Sequence, residues 1–168
     1  HEEIELALVS LYRVTRERRY LQLATEFVQR RGGERSAFRS EIERLEQIGG
    51  YGYQSPVENI GTRNVEQFYE DFFLGPDGEY DGSYAQDHLP VTDQVTVEGH
   101  AVRAMYLYSG VADLLLENED PRLLEASLRV WNNMVSRRLY VTGGIGAALR
   151  VEGFGPDYHL PNDTAYAE

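Results

Sequence analysis

The sequence predicts an all-α fold assembled from helical hairpins, and three observations carry that prediction. Apolar residues recur at helical spacing in two long segments, 1–33 and 98–138. Each segment is interrupted once by a short polar break. The second segment also reproduces features of the first in the same order. Repeated hairpins of this kind build either an open solenoid or a closed α/α toroid.

In the first segment Ile4, Leu8, Leu11 and Tyr12 form a helical stripe that Leu6, Ala7 and Val9 widen. Thr15-Arg16-Glu17 breaks it. A second stripe follows at Tyr20, Leu21, Leu23, Ala24, Phe27 and Val28, and Gly32-Gly33 ends the helix, as glycine does just past a helix C-terminus. Sparse apolar positions at Phe38, Ile42, Leu45 and Ile48 predict a further helix over 34–48. From 49 to 90 the chain is a long excursion rich in Gly, Tyr, Asp and Asn, with a short helix expected over 65–73 and a turn at Pro76-Asp77-Gly78.

The second hairpin is expected as one helix over 98–117, a turn at 118–120, and a helix from Pro121 to about Arg138. Proline is tolerated at that first helical position. His1 and His100 open the two hairpins, Phe27 and Trp131 sit mid-way along their second helices, and Arg30-Arg31 and Arg137-Arg138 close them. Equivalent positions of neighbouring hairpins share one end of a repeat structure, so both histidines are expected on one rim. The last stretch, 143–168, is glycine-rich at its start and aromatic further on. It carries Glu152 and Glu168 with Asp157 and His159 between them, and ends where a helix should begin. Structureless connections longer than about a dozen residues are usually functional or disordered, and this composition disfavours disorder.

Charge narrows the function classes. The net charge is −12, and the arginines are interleaved with glutamates along helices, which excludes the clustered basic surface that nucleic acid requires. No apolar run reaches the roughly 18 residues needed to span a membrane. There is no cysteine, so neither a disulfide framework nor a cysteine-based metal site can form within these residues.

The chemistry-bearing candidates are His100, His88 and His1, and the carboxylates Glu152 and Glu168. Glycosidic cleavage needs a proton donor and a second group for attack or stabilisation, and most such enzymes use carboxylates for both. A glutamate beside glycines and aromatics can be partly desolvated, which raises its pKa and suits a general acid. The residues alone leave open whether Glu152 and Glu168 are ordinary exposed glutamates and whether the histidines simply cap helices.

Three stretches carry a family resemblance: HEEIELALVSLYRVT with RRYLQLATEFVQRRG, then YAQDHLPV with EGHAVRAMYLYSGVADL, then LYVTGGIG with EGFGPDYHLPNDTAYAE. In this order they resemble the catalytic domain of glycoside hydrolase family 127, the β-L-arabinofuranosidase family. The stretch from 34 to 83 matches least. The resemblance implies an (α/α)6 toroid of which residues 1–168 supply an interior portion, cut at both ends. It implies a retaining exo-glycosidase that releases L-arabinofuranose from β-linked oligosaccharides or glycoconjugates by way of a zinc-bound cysteine nucleophile. Its acid/base glutamate falls on Glu152. Its zinc ligands are a glutamate, which falls on Glu168, and three cysteines that this chain lacks, one of them the nucleophile. Sugar-contacting histidines fall on His100 and His1, with His88 a weaker match.

Zinc deprotonates a coordinating thiol, and thiolate is the nucleophilic form. A reduced thiol suits a cytoplasmic setting. Lacking that thiol, the 168 residues alone are expected to be inactive. Two other readings stand beside this one. One is a non-catalytic helical-repeat binding protein, and the other a toroid glycosidase with a different sugar and mechanism.

Overall fold

The computed structural model describes residues 1–33, 44, 73–75, 77–148 and 152–163. Among them the fold is all-α: α1 (Glu3–Thr15), α2 (Arg18–Arg30), α3 (Ala101–Glu117) and α4 (Pro121–Arg137), with 3-10 turns at Ser83–Ala85 and Val91–Asp93. Extended pairing among these residues is confined to isolated bridges. The two expected hairpins are present, with ends within a few residues of those read from the sequence. The helices expected over 34–48 and 65–73 fall outside the described residues except at 44 and 73, and so does Glu168.

Each helix end has a local cause. Arg16 adopts φ 62°, and its N–H donates to Tyr12 O at 2.7 Å, which closes α1 in a left-handed cap. Asp120 caps α4: its Oδ1 accepts from the Arg122 and Leu123 N–H groups, both at 3.1 Å, with Pro121 in the first turn. His100 caps α3 in the same manner, its side chain accepting from the Arg103 N–H. Gly78 N–H donates to Gly75 O at 3.0 Å, forming the turn expected near 76–78.

Two apolar clusters hold the hairpins together. Leu8, Val9, Ala24, Val28, Leu107 and Val111 lie in the first, between α1, α2 and α3. Ala101, Ala104, Val130, Met134, Ile145 and Phe154 lie in the second, where α3, α4 and the glycine-rich stretch meet. The helix α1 departs from its expected stripe. Ile4 and Leu11 are 44% and 40% exposed, while Glu2 and Glu5 are fully buried. The cause is electrostatic. Arg31 reaches Glu2 at 3.3 Å and Glu5 at 2.9 Å, and Arg103 reaches Glu2 at 3.1 Å, so both carboxylates are compensated inside.

That pairing also orders the hairpins. Glu2 meets Arg103 at one end of α1 and Arg13 meets Asp113 at 2.9 Å near the other, so α1 and α3 run parallel. Their N-termini share one rim, and His1 and His100 sit there. On the outer side of α3 and α4 lies an apolar groove of about 730 Å³ lined by Met105, Leu116, Leu124, Leu128 and Trp131, among others. Trp131 is 58% exposed in it. None of His1, His88, His100 and Glu152 lines this groove.

Candidate active site

The site is built from backbone outward around Gly99-His100. Gly99 has φ +74°, and a Cβ there would lie 2.0 Å from Ser83 O and 2.7 Å from Tyr84 O. Only glycine fits that conformation against that neighbour. The chain can then turn into α3 with His100 N–H donating to Tyr84 O at 3.1 Å. From the other side the Gln86 side-chain amide lies 2.9 Å from Glu98 O and 3.3 Å from His100 O. The histidine backbone is therefore fixed by elements on both sides of it.

The glycine-rich stretch docks onto the same turn. Ala101 N–H donates to Glu152 O at 2.9 Å, Phe154 N–H donates to Gly99 O at 3.0 Å, and His100 and Gly153 form an antiparallel bridge. This pairing sets Glu152 beside His100. Glu152 adopts φ 50°, a left-handed conformation that non-glycine residues rarely take. Strain of this kind persists where surrounding bonds over-determine it. Its Oε2 lies 3.2 Å from His100 Nε2. The glutamate side chain is 47% exposed and the histidine side chain 13%.

Tyr84 completes the wall. Its ring meets Phe73 edge-on at 5.3 Å and His100 at 5.5 Å, and the Arg103 guanidinium lies 5.3 Å from its centroid. Burial pushes the phenol pKa up, against the opposing influence of Arg103, so Tyr84 stays protonated. His1 shares the rim, its ring edge-on to Tyr106 at 5.9 Å and its Nδ1 accepting from Glu3 N–H at 3.4 Å. His88 is half-buried, and burial holds its imidazole below the ordinary value despite Glu98, Asp81 and Asp87 nearby. It is a neutral side chain of the approach.

Asp157 belongs to a clasp. Its carboxylate accepts from Arg137 at 2.6 Å, Arg138 at 2.9 Å and Asn133 at 3.2 Å, and so pins the stretch that carries Glu152 to the end of α4. The Arg137 hydrogen bond, then that of Arg138, brings its pKa from 3.8 down to about 2. A carboxyl depressed in the folded state contributes stability that is complete above its unfolded value and lost as pH falls through the folded one. The clasp should therefore stay closed to about pH 4 and open toward pH 2. Asp157→Asn is expected to speed amide exchange over 152–163 at neutral pH, and to differ little from the parent near pH 2. A difference that persists unchanged at pH 2 would remove the carboxylate charge from the account.

The family described as "Beta-L-arabinofuranosidase, GH127 catalytic domain" matches residues 1–168. The chain belongs to glycoside hydrolase family 127. It is 38% identical over all of its 168 residues to a non-reducing end β-L-arabinofuranosidase of Bifidobacterium longum subsp. longum, of which it covers 22%. The structure resembles that of a GH127 β-L-arabinofuranosidase from Geobacillus stearothermophilus T6, with TM-score 0.77 and 37% identity over 98% of this chain and 22% of that one. A second GH127 β-arabinofuranosidase matches with TM-score 0.65 and 33% identity over 96% of this chain and 19% of that one. The chain thus spans about a fifth of the length of these relatives.

Within this family 127 chain the structure brings His100 and Glu152 into contact and places His1 on the same rim. Tyr84, Gln86, Arg103 and the carboxylate of Glu2 were not singled out from sequence. The signal that could have marked them was weak. Tyr84 and Gln86 stand in the stretch YAQDHLP that leads to the site, and Arg31 and Arg138 occupy equivalent hairpin ends. Each arginine ties its hairpin back to the start of its first helix: Arg31 to Glu2 and Glu5, and Arg138 to Glu98 at 3.3 Å and the Val97 carbonyl.

Proposed function

We propose that this chain is part of a glycoside hydrolase that releases L-arabinofuranose from β-linked arabinofuranosides in oligosaccharides or glycoconjugates, with Glu152 as its general acid/base. One observation carries the reading beyond family membership. The Glu152 carboxyl is half-exposed on the rim where the two hairpins begin, with one oxygen on His100 and, among the described residues, no hydrogen bond to the other. A carboxyl so placed can give its proton to the glycosidic oxygen as the C1–O bond breaks. It can then take one from the water that attacks in the second half of a retaining cycle. His1 would meet sugar hydroxyls and His88 would line the approach, while His100, on which the resemblance also places a sugar contact, has its two ring nitrogens turned to the Arg103 N–H and to Glu152. In a closed (α/α)6 toroid, a neighbouring hairpin would cover the groove around Trp131.

The nucleophilic half of the reaction is not in these residues. The chain has no cysteine, and among the described residues no three His, Asp or Glu side chains converge to hold a metal. Glu168 is proposed as the carboxylate ligand of zinc, and Glu168→Ala in the full-length gene product should lower the zinc content of the purified protein. Among the described residues no helix is long and apolar enough to cross a membrane, and a reduced thiol would suit the cytoplasm.

The substrate reading is tested by offering the full-length gene product aryl β-L-arabinofuranoside beside aryl glycosides of other pentoses and of uronic acids. Release of arabinose with the anomeric configuration retained is expected. Preference for a different sugar would favour a toroid glycosidase of other specificity. Binding without turnover of any of them would favour a helical-repeat binding protein.

A further inference from the structure

His100 stands at the start of α3, where the first backbone N–H groups of a helix lack intrahelical partners. Its Nδ1 accepts one of them, the Arg103 N–H, at 3.5 Å. That contact is long, but its direction is informative. An imidazolium would turn an Nδ1–H donor against the Arg103 N–H donor, and so would the neutral Nδ1–H tautomer. The cap therefore favours the tautomer that carries its proton on Nε2. Nε2 is the nitrogen that lies 3.2 Å from Glu152 Oε2.

We infer that His100 is the positioning residue of Glu152. Its helix-cap bond favours the Nε2–H tautomer, and that N–H donates to Glu152 Oε2 and aims Oε1 at the reacting oxygen. This inference rests on Glu152 acting as proposed above. An N–H donor on Oε2 suits both halves of the cycle, because Oε2 accepts equally as the carbonyl oxygen of the acid and as an oxygen of the carboxylate. The proton then comes and goes on Oε1 alone. The surroundings keep the ring from turning away: the His100 side chain is 13% exposed, Tyr84 meets its ring edge-on at 5.5 Å, and Tyr84 O and Gln86 hold its backbone. His1 also turns its Nδ1 to a backbone N–H, that of Glu3 at 3.4 Å, but the Glu2 carboxylate lies 3.9 Å from that same nitrogen, whereas at His100 the Glu152 carboxyl stands at the opposite nitrogen, Nε2.

The test uses the full-length gene product and two variants. His100→Asn keeps a helix-capping acceptor but is too short to reach Glu152, and His100→Gln restores a reaching N–H donor. With an alkyl arabinofuranoside, whose leaving group needs a proton, His100→Asn is expected to lower kcat by about a hundredfold, with KM little changed, as for a catalytic group displaced by an ångström. With a nitrophenyl arabinofuranoside, whose leaving group does not, the loss in kcat/KM, which reports the first step, should shrink to a few fold where the alkyl substrate loses about a hundredfold, and His100→Gln should recover part of the alkyl rate. Equal losses on both substrates, or a rise in KM alone, would overturn the positioning role. Glu152→Ala is measured beside them: absence of leaving-group dependence there sinks the acid/base reading instead. Nitrogen-15 spectra of labelled histidine decide the geometry without turnover. Protonated Nε2 with bare Nδ1 at His100 is expected, with the Nε2 signal displaced in Glu152→Ala, and an Nδ1–H tautomer or an imidazolium at neutral pH overturns it.

Discussion

Arg31→Leu is expected to destabilise the first hairpin by about 3–5 kcal/mol, the usual consequence of removing one partner from a buried ionic group. Glu2 and Glu5 are fully buried, and the Arg31 side chain is 10% exposed. With Arg31 gone, among the described residues Glu2 keeps Arg103 at 3.1 Å and His1 at 3.9 Å, and Glu5 loses the arginine it pairs with. Arg31 also donates to Ala85 O at 2.8 Å, so the approach to the site loses an anchor in the same change. Amide hydrogen exchange over α1 and α2 of the full-length gene product reads the effect locally, where a global melt of a large protein would blur it. The double variant Arg31→Leu with Glu5→Leu removes one charge of each sign and should recover much of the loss, since well-packed apolar pairs replace buried ion pairs with little penalty. A single variant whose exchange matches the parent would show that these carboxylates are compensated elsewhere.

Glu152→Ala is the second large effect, a fall in kcat of roughly 10²–10⁴ in the full-length gene product, the range for loss of a general acid/base. The structure makes this a clean substitution. The loop is docked by the Glu152 carbonyl, which accepts from Ala101 N–H at 2.9 Å, and by Phe154 N–H on Gly99 O at 3.0 Å, neither of which involves the carboxyl. Exchange protection over α3 should therefore be unchanged. An activated aryl substrate should keep much of the first-step rate, because its leaving group needs no proton. Near-parental hydrolysis of an unactivated arabinofuranoside would remove Glu152 from the mechanism.

How much of this was legible in the sequence depends on whether the cause is local. The hairpins were, because helical spacing and breakers act within a few residues. In the second stripe of the first hairpin Leu21, Ala24 and Val28 are buried in α2, while Leu23 and Phe27, at its edges, are 39% and 38% exposed. The first stripe was read less well, since Ile4 and Leu11 face outward. Hydrophobicity ranks Ile4 above Glu5, and nothing within a helical turn reveals that a cation from Arg31 will neutralise the glutamate. The equivalence of His1 and His100 was likewise visible as a repeat, while their meeting on one rim needed α1 and α3 to pack in parallel.

The all-α class, the two hairpins and, through the family its motifs match, the residues worth testing are all legible in the amino-acid order. Patterns of spacing and caps are written over four to eight neighbours, and motifs over a few dozen. Which groups meet is a matter of packing. It brought Glu152 to 3.2 Å from His100 across 52 residues of chain, Arg103 to Glu2 across 101, and Arg138 to Asp157 across 19. Such contacts arise when two elements bury a common apolar surface and their polar ends must then find partners. That requirement acts through space, and the sequence carries no local record of it.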